Sequence, residues 1–259
     1  QPKVDNVVAI EPTCELYKRF ARLNDIEYRS VLLNEDFQLN ASELLRACNK
    51  QTKLIWLCSP NTPTGNILNV EEVEKVVKGF NGIVVIDEAY ADFSRSQTFR
   101  ERVSEFPNMI VLNTFSKAWA SAAIRLGVIY AQEAIINVFN KVSSPYSINQ
   151  LTQEQAIDVL RHRYDIEDWI KILLLERKRM ISAFASLTCC EKVYPSNANF
   201  FLAQMKDAES VYNYLCEKGI KVRNCSNLSL CNNCLRITIG SKAENAEILG
   251  ILRCYKPTK

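Results

Sequence analysis

Five short apolar runs punctuate the first half of the chain, and amphipathic stretches lie between most of them. The runs are Val7-Val8-Ala9-Ile10, Lys53 to Cys58, Gly82 to Asp87, Met109 to Asn113 and Leu126 to Ala131; the more polar Glu27 to Leu33 also reads as a strand. Each is too short for a buried helix and has the length of a strand. Between them, Glu15 to Asn24, Ala41 to Lys50 and Val70 to Gly79 place apolar residues at helical spacing. Strands that are apolar on both faces, joined by helices, need cover on both sides. The pattern therefore predicts an α/β fold with a mostly parallel sheet flanked by helices.

The pattern changes later in the chain. Asp165 to Leu187 has the spacing of one long helix. After it, Phe200 to Ala203, Gly219 to Arg223 and Cys234 to Ile239 read as strands, with helices over Ala208 to Lys218 and Glu244 to Arg253. These features predict a large domain over residues 1–163, a linking helix over 164–187 and a smaller α+β C-terminal domain over 188–259.

Charge and composition exclude several classes of function. With 32 basic and 29 acidic residues, a net charge of +3 gives no footprint for nucleic acid or an anionic membrane. No apolar run reaches the length of a bilayer span, and Gln1-Pro2-Lys3-Val4-Asp5 is not the start of a signal peptide. A cytoplasmic location is expected. Ten cysteines invite a metal reading, but Cys231-Asn232-Asn233-Cys234 is a single CxxC and the chain has one histidine. A structural zinc site needs four such ligands, so no metal is expected and most cysteines read as small buried hydrophobes. His162, between Arg161 and Arg163, reads as a solvated surface residue.

Three segments at the ends of expected strands carry candidate chemistry, because ligand sites collect at such ends. Ser59-Pro60-Asn61-Thr62-Pro63-Thr64-Gly65 is a tight loop with short polar side chains. Alone it reads as an ordinary turn. Val85-Ile86-Asp87-Glu88-Ala89-Tyr90 ends a buried strand on a carboxylate, as a helix cap, an ion pair or a ligand group would. In Asn113-Thr114-Phe115-Ser116-Lys117-Ala118-Trp119, followed by Ile124-Arg125-Leu126-Gly127, a lysine is flanked by two hydroxyls and a guanidinium. Hydroxyls and an arginine suit a phosphate, and a lysine of depressed pKa forms Schiff bases with aldehydes. A solvated lysine at a helix start is the plain alternative for that residue taken singly.

The three segments in this order resemble the fold-type I enzymes that depend on pyridoxal 5'-phosphate (PLP), over nearly the whole chain. They look closest to the histidinol-phosphate aminotransferases. Glu11-Pro12-Thr13, Ser144-Pro145-Tyr146, Asn197-Ala198-Asn199-Phe200 and Cys234-Leu235-Arg236-Ile237-Thr238-Ile239-Gly240 support the match. The resemblance implies that Lys117 carries PLP as a Schiff base and then moves the substrate proton. It implies that Asp87 pairs with the pyridine nitrogen and that Tyr90 and Thr62 face the ring hydroxyl. Ser116, Arg125 and Thr114 would hold the cofactor phosphate. Arg236 would clamp the substrate carboxylate, and Arg223 would lie at the substrate's phosphate end. The implied reaction is amino transfer from glutamate to imidazole-acetol phosphate, giving histidinol phosphate for histidine biosynthesis, by a homodimer acting on small amino and keto acids. A threonine-phosphate decarboxylase, an aromatic aminotransferase and a catalytically impaired relative share most of these motifs.

Four departures from the family pattern bear on the cofactor. Nothing here matches the N-terminal Gly-x-Asp-Glu-type turn that cradles its phosphate, so the large domain is expected to be N-terminally incomplete. Cys14 stands where an aromatic ring stacks on the pyridine. Thr62 replaces an asparagine. Ser121-Ala122-Ala123 replaces Leu-Ala-Gly, which leads to an expectation of backbone strain there.

Overall fold

The computed structural model describes residues 1–256; the last three residues of the 188–259 unit lie outside them. Strands β1 (Asn6–Glu11), β2 (Glu27–Leu32), β3 (Thr52–Cys58), β4 (Ile83–Asp87), β5 (Met109–Thr114) and β6 (Gly127–Ala131) form one sheet. Their order is β2-β1-β3-β4-β5-β6. Every neighbouring pair is parallel except β5 and β6, which run antiparallel.

Burial explains which strands read as continuous apolar runs. Val8, Ala9 and Ile10 in β1 and Val84 and Ile86 in β4 are fully buried, since both faces of the central sheet are covered. The edge strands β2 and β6 are only half buried or exposed along their length. Helices α1 (Glu15–Leu23), α2 (Ala41–Ala47) and α3 (Val70–Gly79) make the crossovers. In α3, Val73, Val76 and Val77 fall on one face and are buried. Asn69 caps that helix by accepting a hydrogen bond from the Glu72 N–H, and Asn40 caps α2 through the Glu43 N–H.

Helices α4 (Glu133–Val142), α5 (Gln150–Arg161) and α6 (Arg163–Ala185) follow β6. A second sheet contains β7 (Cys190–Val193), β8 (Phe200–Met205), β9 (Arg223–Asn224) and β10 (Cys234–Thr238), with α7 (Ala208–Glu217) and α8 (Lys242–Arg253). It is antiparallel, in the order β7-β8-β10-β9. Met180 and Phe184 of α6 pack into its core with Phe201, Met205 and Leu249.

The two sheets share packing. Leu202, Cys225, Cys231 and Cys234 belong to the hydrophobic cluster built on β1, β3 and β4. A small separate cluster joins Tyr90 and Phe93 to Ala198 and Phe200. Arg177 of α6 bridges the same seam, donating to the carbonyls of Phe93 and Ala198 at 3.1 and 2.8 Å.

Two expectations need correction. The expected strand over 219–223 shrinks to β9, because Ile220 and Val222 spend their apolar side chains on the second core and β10 pairs only with residues 223 and 224. Half of the cysteines are buried, against an expected majority: five are buried, three are intermediate, and Cys216 and Cys254 are exposed. His162 is exposed, between α5 and α6. No helix of the described residues is long and apolar enough to cross a membrane, and no cluster among them is suited to a metal ion.

Candidate active site

Strands β1, β3, β4 and β5 run in one direction, so their C-terminal ends share an edge of the sheet. The candidate segments gather there. The loop after β3 is tied to the turn after β1 by Asn61, which is fully buried. Its carboxamide accepts from the Thr13 hydroxyl at 2.8 Å and donates to Pro12 O and Thr64 Oγ1 at 2.9 and 2.8 Å. Gly65 closes the loop at φ +82°, where a Cβ would come within 2.6 Å of Ser196 Oγ.

Asp87 ends β4. Its Oδ1 accepts the Ala89 N–H at 3.0 Å and its Oδ2 accepts the Tyr17 hydroxyl at 2.6 Å. Among the described residues it forms no ion pair within 4 Å. Burial raises its carboxyl above the usual range, while the Tyr17 hydroxyl, the Ala89 N–H and the charge of Lys117 act the other way. Tyr17 is itself buried, and its ring stacks on Trp56 at 4.8 Å. Glu88, the next residue, is also buried and has a different environment. Its Oε1 accepts the Phe99 N–H at 2.6 Å, its Oε2 has no partner, and burial pushes it up to about 7.

Tyr90 stands edge-on to Phe200 at 5.1 Å, and burial pushes its phenol up to about 12. The Lys117 amine lies 5.4 Å from the Tyr90 ring centroid and has no hydrogen-bond acceptor or ion-pair partner among the described residues. Arg236, from β10 of the second sheet, places its guanidinium 4.8 Å from the Phe200 ring and donates to Thr62 Oγ1 at 3.0 Å. Its Nε is buried without a partner. Arg223 donates to Glu15 at 2.6 Å.

Tyr90, Lys117, Arg223 and Arg236 line one cleft of about 330 Å³ together with Cys14 and Thr62; Asp87 is not on its wall. A larger hollow of about 540 Å³ lies at the opposite end of the strands, beside Gly82 and Asn108, and carries none of the candidate groups.

The phosphate-end candidates stand apart from that wall. The Thr114 hydroxyl accepts the Ser116 N–H at 3.1 Å and donates to Leu126 O at 3.3 Å. Arg125 is exposed and donates to Ala122 O at 2.8 Å. The strain expected at 121–123 falls beside it instead: Ala120 and Arg125 adopt left-handed φ of +50° and +55°. These residues close the turn through Ala120 N–H to Lys117 O and Arg125 N–H to Ala122 O.

Tyr17, Glu15 and Asn61 carry contacts that the sequence reading did not assign. The place of Tyr17 on the inner face of α1 was readable, since Tyr17 and Ala21 are its buried residues at i and i+4. Its pairing with Asp87, 70 residues away, had no local signal.

Comparison with known proteins decides the family. Residues 1–252 match the family described as aminotransferase class I and II. The chain belongs to the class I and II aminotransferases. It is 52% identical to a histidinol-phosphate aminotransferase of Bacteroides fragilis over 256 residues, covering 99% of this chain and 74% of that protein. It is 46% identical to the enzyme of the same name from Flavobacterium psychrophilum, covering 98% of this chain and 73% of the relative. The crystal structure of the Clostridium acetobutylicum histidinol-phosphate aminotransferase superposes with a TM-score of 0.89 at 23% identity, over 96% of this chain and 77% of that one. The Sinorhizobium meliloti enzyme, solved in complex with PLP, gives 0.87 at 20% identity, over 98% and 71%.

Aminotransferases of this family depend on PLP, and residues of the candidate site fit it. Asp87 offers a half-buried carboxylate oxygen with one hydrogen bond, which suits a protonated ring nitrogen. Lys117 offers an amine free of acceptors among the described residues, which suits an aldehyde.

Proposed function

We propose that this aminotransferase transfers the amino group of glutamate to imidazole-acetol phosphate, giving 2-oxoglutarate and histidinol phosphate in histidine biosynthesis. The observation that carries this reading is the meeting of Lys117, Tyr90 and Arg236 in one cleft, in a chain 52% identical to the Bacteroides fragilis enzyme of that name.

When bound, PLP supplies an electron-accepting ring that stabilises negative charge at the substrate's α-carbon. Lys117 would hold the cofactor through its amine and would move the proton at that carbon. Asp87 would offer the ring nitrogen a carboxylate oxygen, which favours its protonated form. Tyr90 donates to the ring hydroxyl, and its buried phenol stays protonated near neutral pH. The Thr62 oxygen already accepts from Arg236, so its hydrogen is available to the same ring hydroxyl.

Arg236 holds the substrate carboxylate with the faces of its guanidinium that Thr62 leaves open. Arg223 takes the phosphate end of the substrate once Glu15 gives way. Ser116, Thr114 and Arg125 hold the cofactor phosphate, which requires Arg125 to leave the Ala122 carbonyl. We further read the protein as a cytosolic homodimer with a large domain over 1–163, a linking helix and a small domain over 188–259. A reducing compartment suits its unpaired cysteines.

The test is turnover with purified protein, PLP, glutamate and imidazole-acetol phosphate. The expected result is histidinol phosphate and 2-oxoglutarate in equal amounts, lost in Lys117→Ala. Carbon dioxide from O-phosphothreonine without amino transfer would contradict it, as would the absence of turnover in a PLP-loaded, folded protein.

A further inference from the structure

We infer that Tyr17 is a positioning residue for cofactor binding: its hydroxyl fixes the orientation of the Asp87 carboxylate and holds it charged for the ring nitrogen of PLP. The inference rests on the proposed pairing of Asp87 with that nitrogen.

The geometry supports a fixed donor. A carboxylate can rotate about its terminal bond unless both oxygens are held. At Asp87 both are held, Oδ1 by the Ala89 N–H at 3.0 Å and Oδ2 by Tyr17 at 2.6 Å. The length of the second bond is that of a charge-assisted O–H···O⁻ contact. An ionised carboxylate oxygen accepts more than one hydrogen bond, so Oδ2 keeps a site for a further donor.

Tyr17 is locked in turn. It is 5% exposed, and its ring lies against Trp56 at 4.8 Å with 16° between the planes. Burial raises its phenol well above the ordinary range, so it remains a donor at any working pH. The arrangement is therefore organised within the protein itself, and binding need not spend energy orienting the carboxylate.

The groups that set the charge of Asp87 come from four places. Tyr17 and Cys14 approach from α1, Cys58 from the end of β3, Lys117 from the turn after β5, and Tyr90 from the turn after β4. Cys14, Cys58 and Tyr90 are neutral at neutral pH, with burial raising each. Tyr17 and Lys117 are the two side chains whose effect favours the charged carboxyl. Lys117 acts on Asp87 only through its charge, whereas the Tyr17 hydroxyl bonds the carboxylate directly at 2.6 Å.

The test is the dissociation constant of PLP across pH for the whole chain and for Tyr17→Phe, followed by absorbance, with the melting temperature of the apoprotein as a check on folding. Phenylalanine keeps the stack on Trp56 and removes only the hydroxyl. We expect PLP to bind roughly 10- to 100-fold more weakly at neutral pH, the range for a lost hydrogen bond to a charged group. We also expect the acid limb of the binding profile to move toward neutrality, since Asp87 loses a group that favours its charged form.

In an Asp87→Asn background the same change has little further effect, because the two residues act as one unit. An unmoved acid limb, with Asp87→Asn still weakening PLP, would overturn the role of Tyr17 alone. If Asp87→Asn binds PLP normally, the assignment of Asp87 fails first. Should Tyr17→Phe not fold, 3-fluorotyrosine at position 17 keeps the shape with a more acidic phenol. It should move the limb the opposite way, and an unmoved limb there counts against the inference.

Discussion

The two ends of the proposed cofactor site are built differently. The ring end is largely enclosed and determined by contacts across the sheet: half-buried Asp87 has a partner on each oxygen, and Tyr17, Trp56 and Asn61 are fixed by neighbours from other strands or turns. The anchor end lies between β5 and the exposed edge strand β6. There Arg125 is exposed and bonded to its own turn, and the Thr114 hydroxyl is committed to Leu126 O. A charge in a low-polarity site acts strongly, and an exposed one is screened. The ring end should therefore dominate PLP affinity.

Mutations at the two ends should differ in that sense. Asp87→Ala removes the carboxylate and leaves the Tyr17 hydroxyl without an acceptor. Truncating one partner of a hydrogen-bonded charge pair costs binding about 2–5 kcal/mol, so PLP affinity should fall by roughly 30-fold or more by absorbance titration. A loss below tenfold would mean that the ring end is not the main determinant.

Glu88 sharpens the comparison, because it adjoins Asp87 and lacks its second partner. Its carboxyl is raised to about 7, so between about pH 4.5 and 7 the folded state binds more protons than the unfolded one. Its contribution to stability is then most favourable below pH 4.5 and declines as pH rises through 7. The shift corresponds to about 3 kcal/mol. Glu88→Gln should remove this slope, so urea unfolding of variant and parent should diverge in favour of the variant toward pH 8. Parallel curves would show that Glu88 titrates normally.

Arg125→Ala should have the smallest effect. An exposed guanidinium offers a phosphate about 1 kcal/mol, so PLP should bind at most roughly tenfold more weakly. A loss matching that of Asp87→Ala would show that the anchor end is as well organised as the ring end.

The sequence made the fold legible where local pattern and tertiary burial agree. The limits of α3 coincide with the expected Val70 to Gly79, because Asn69, the valine stripe and the end of the pattern all point to the same helix. Helix α4 was not assigned from the sequence although Ile135, Ile136 and Phe139 lie at helical spacing and are half-buried; none of its residues is fully buried. Strand β7, Cys-Glu-Lys-Val, is four residues long with two exposed charges, too little to read as a strand. The candidate residues Asp87, Tyr90 and Lys117 were visible because each ends or follows a strand. The contacts that give them their properties were not, since Thr62 meets Arg236 across 174 positions and Tyr17 meets Asp87 across 70. Such contacts follow from strand order and sheet packing, which residue spacing does not encode.

The most direct test of the account is to incubate the protein with PLP, reduce it with borohydride, digest it and locate the modified peptide by mass spectrometry. One stoichiometric adduct on Lys117 is predicted, because its amine faces the cleft beside Tyr90 and within the field of Asp87. No adduct, or adducts spread over the surface lysines, would contradict it.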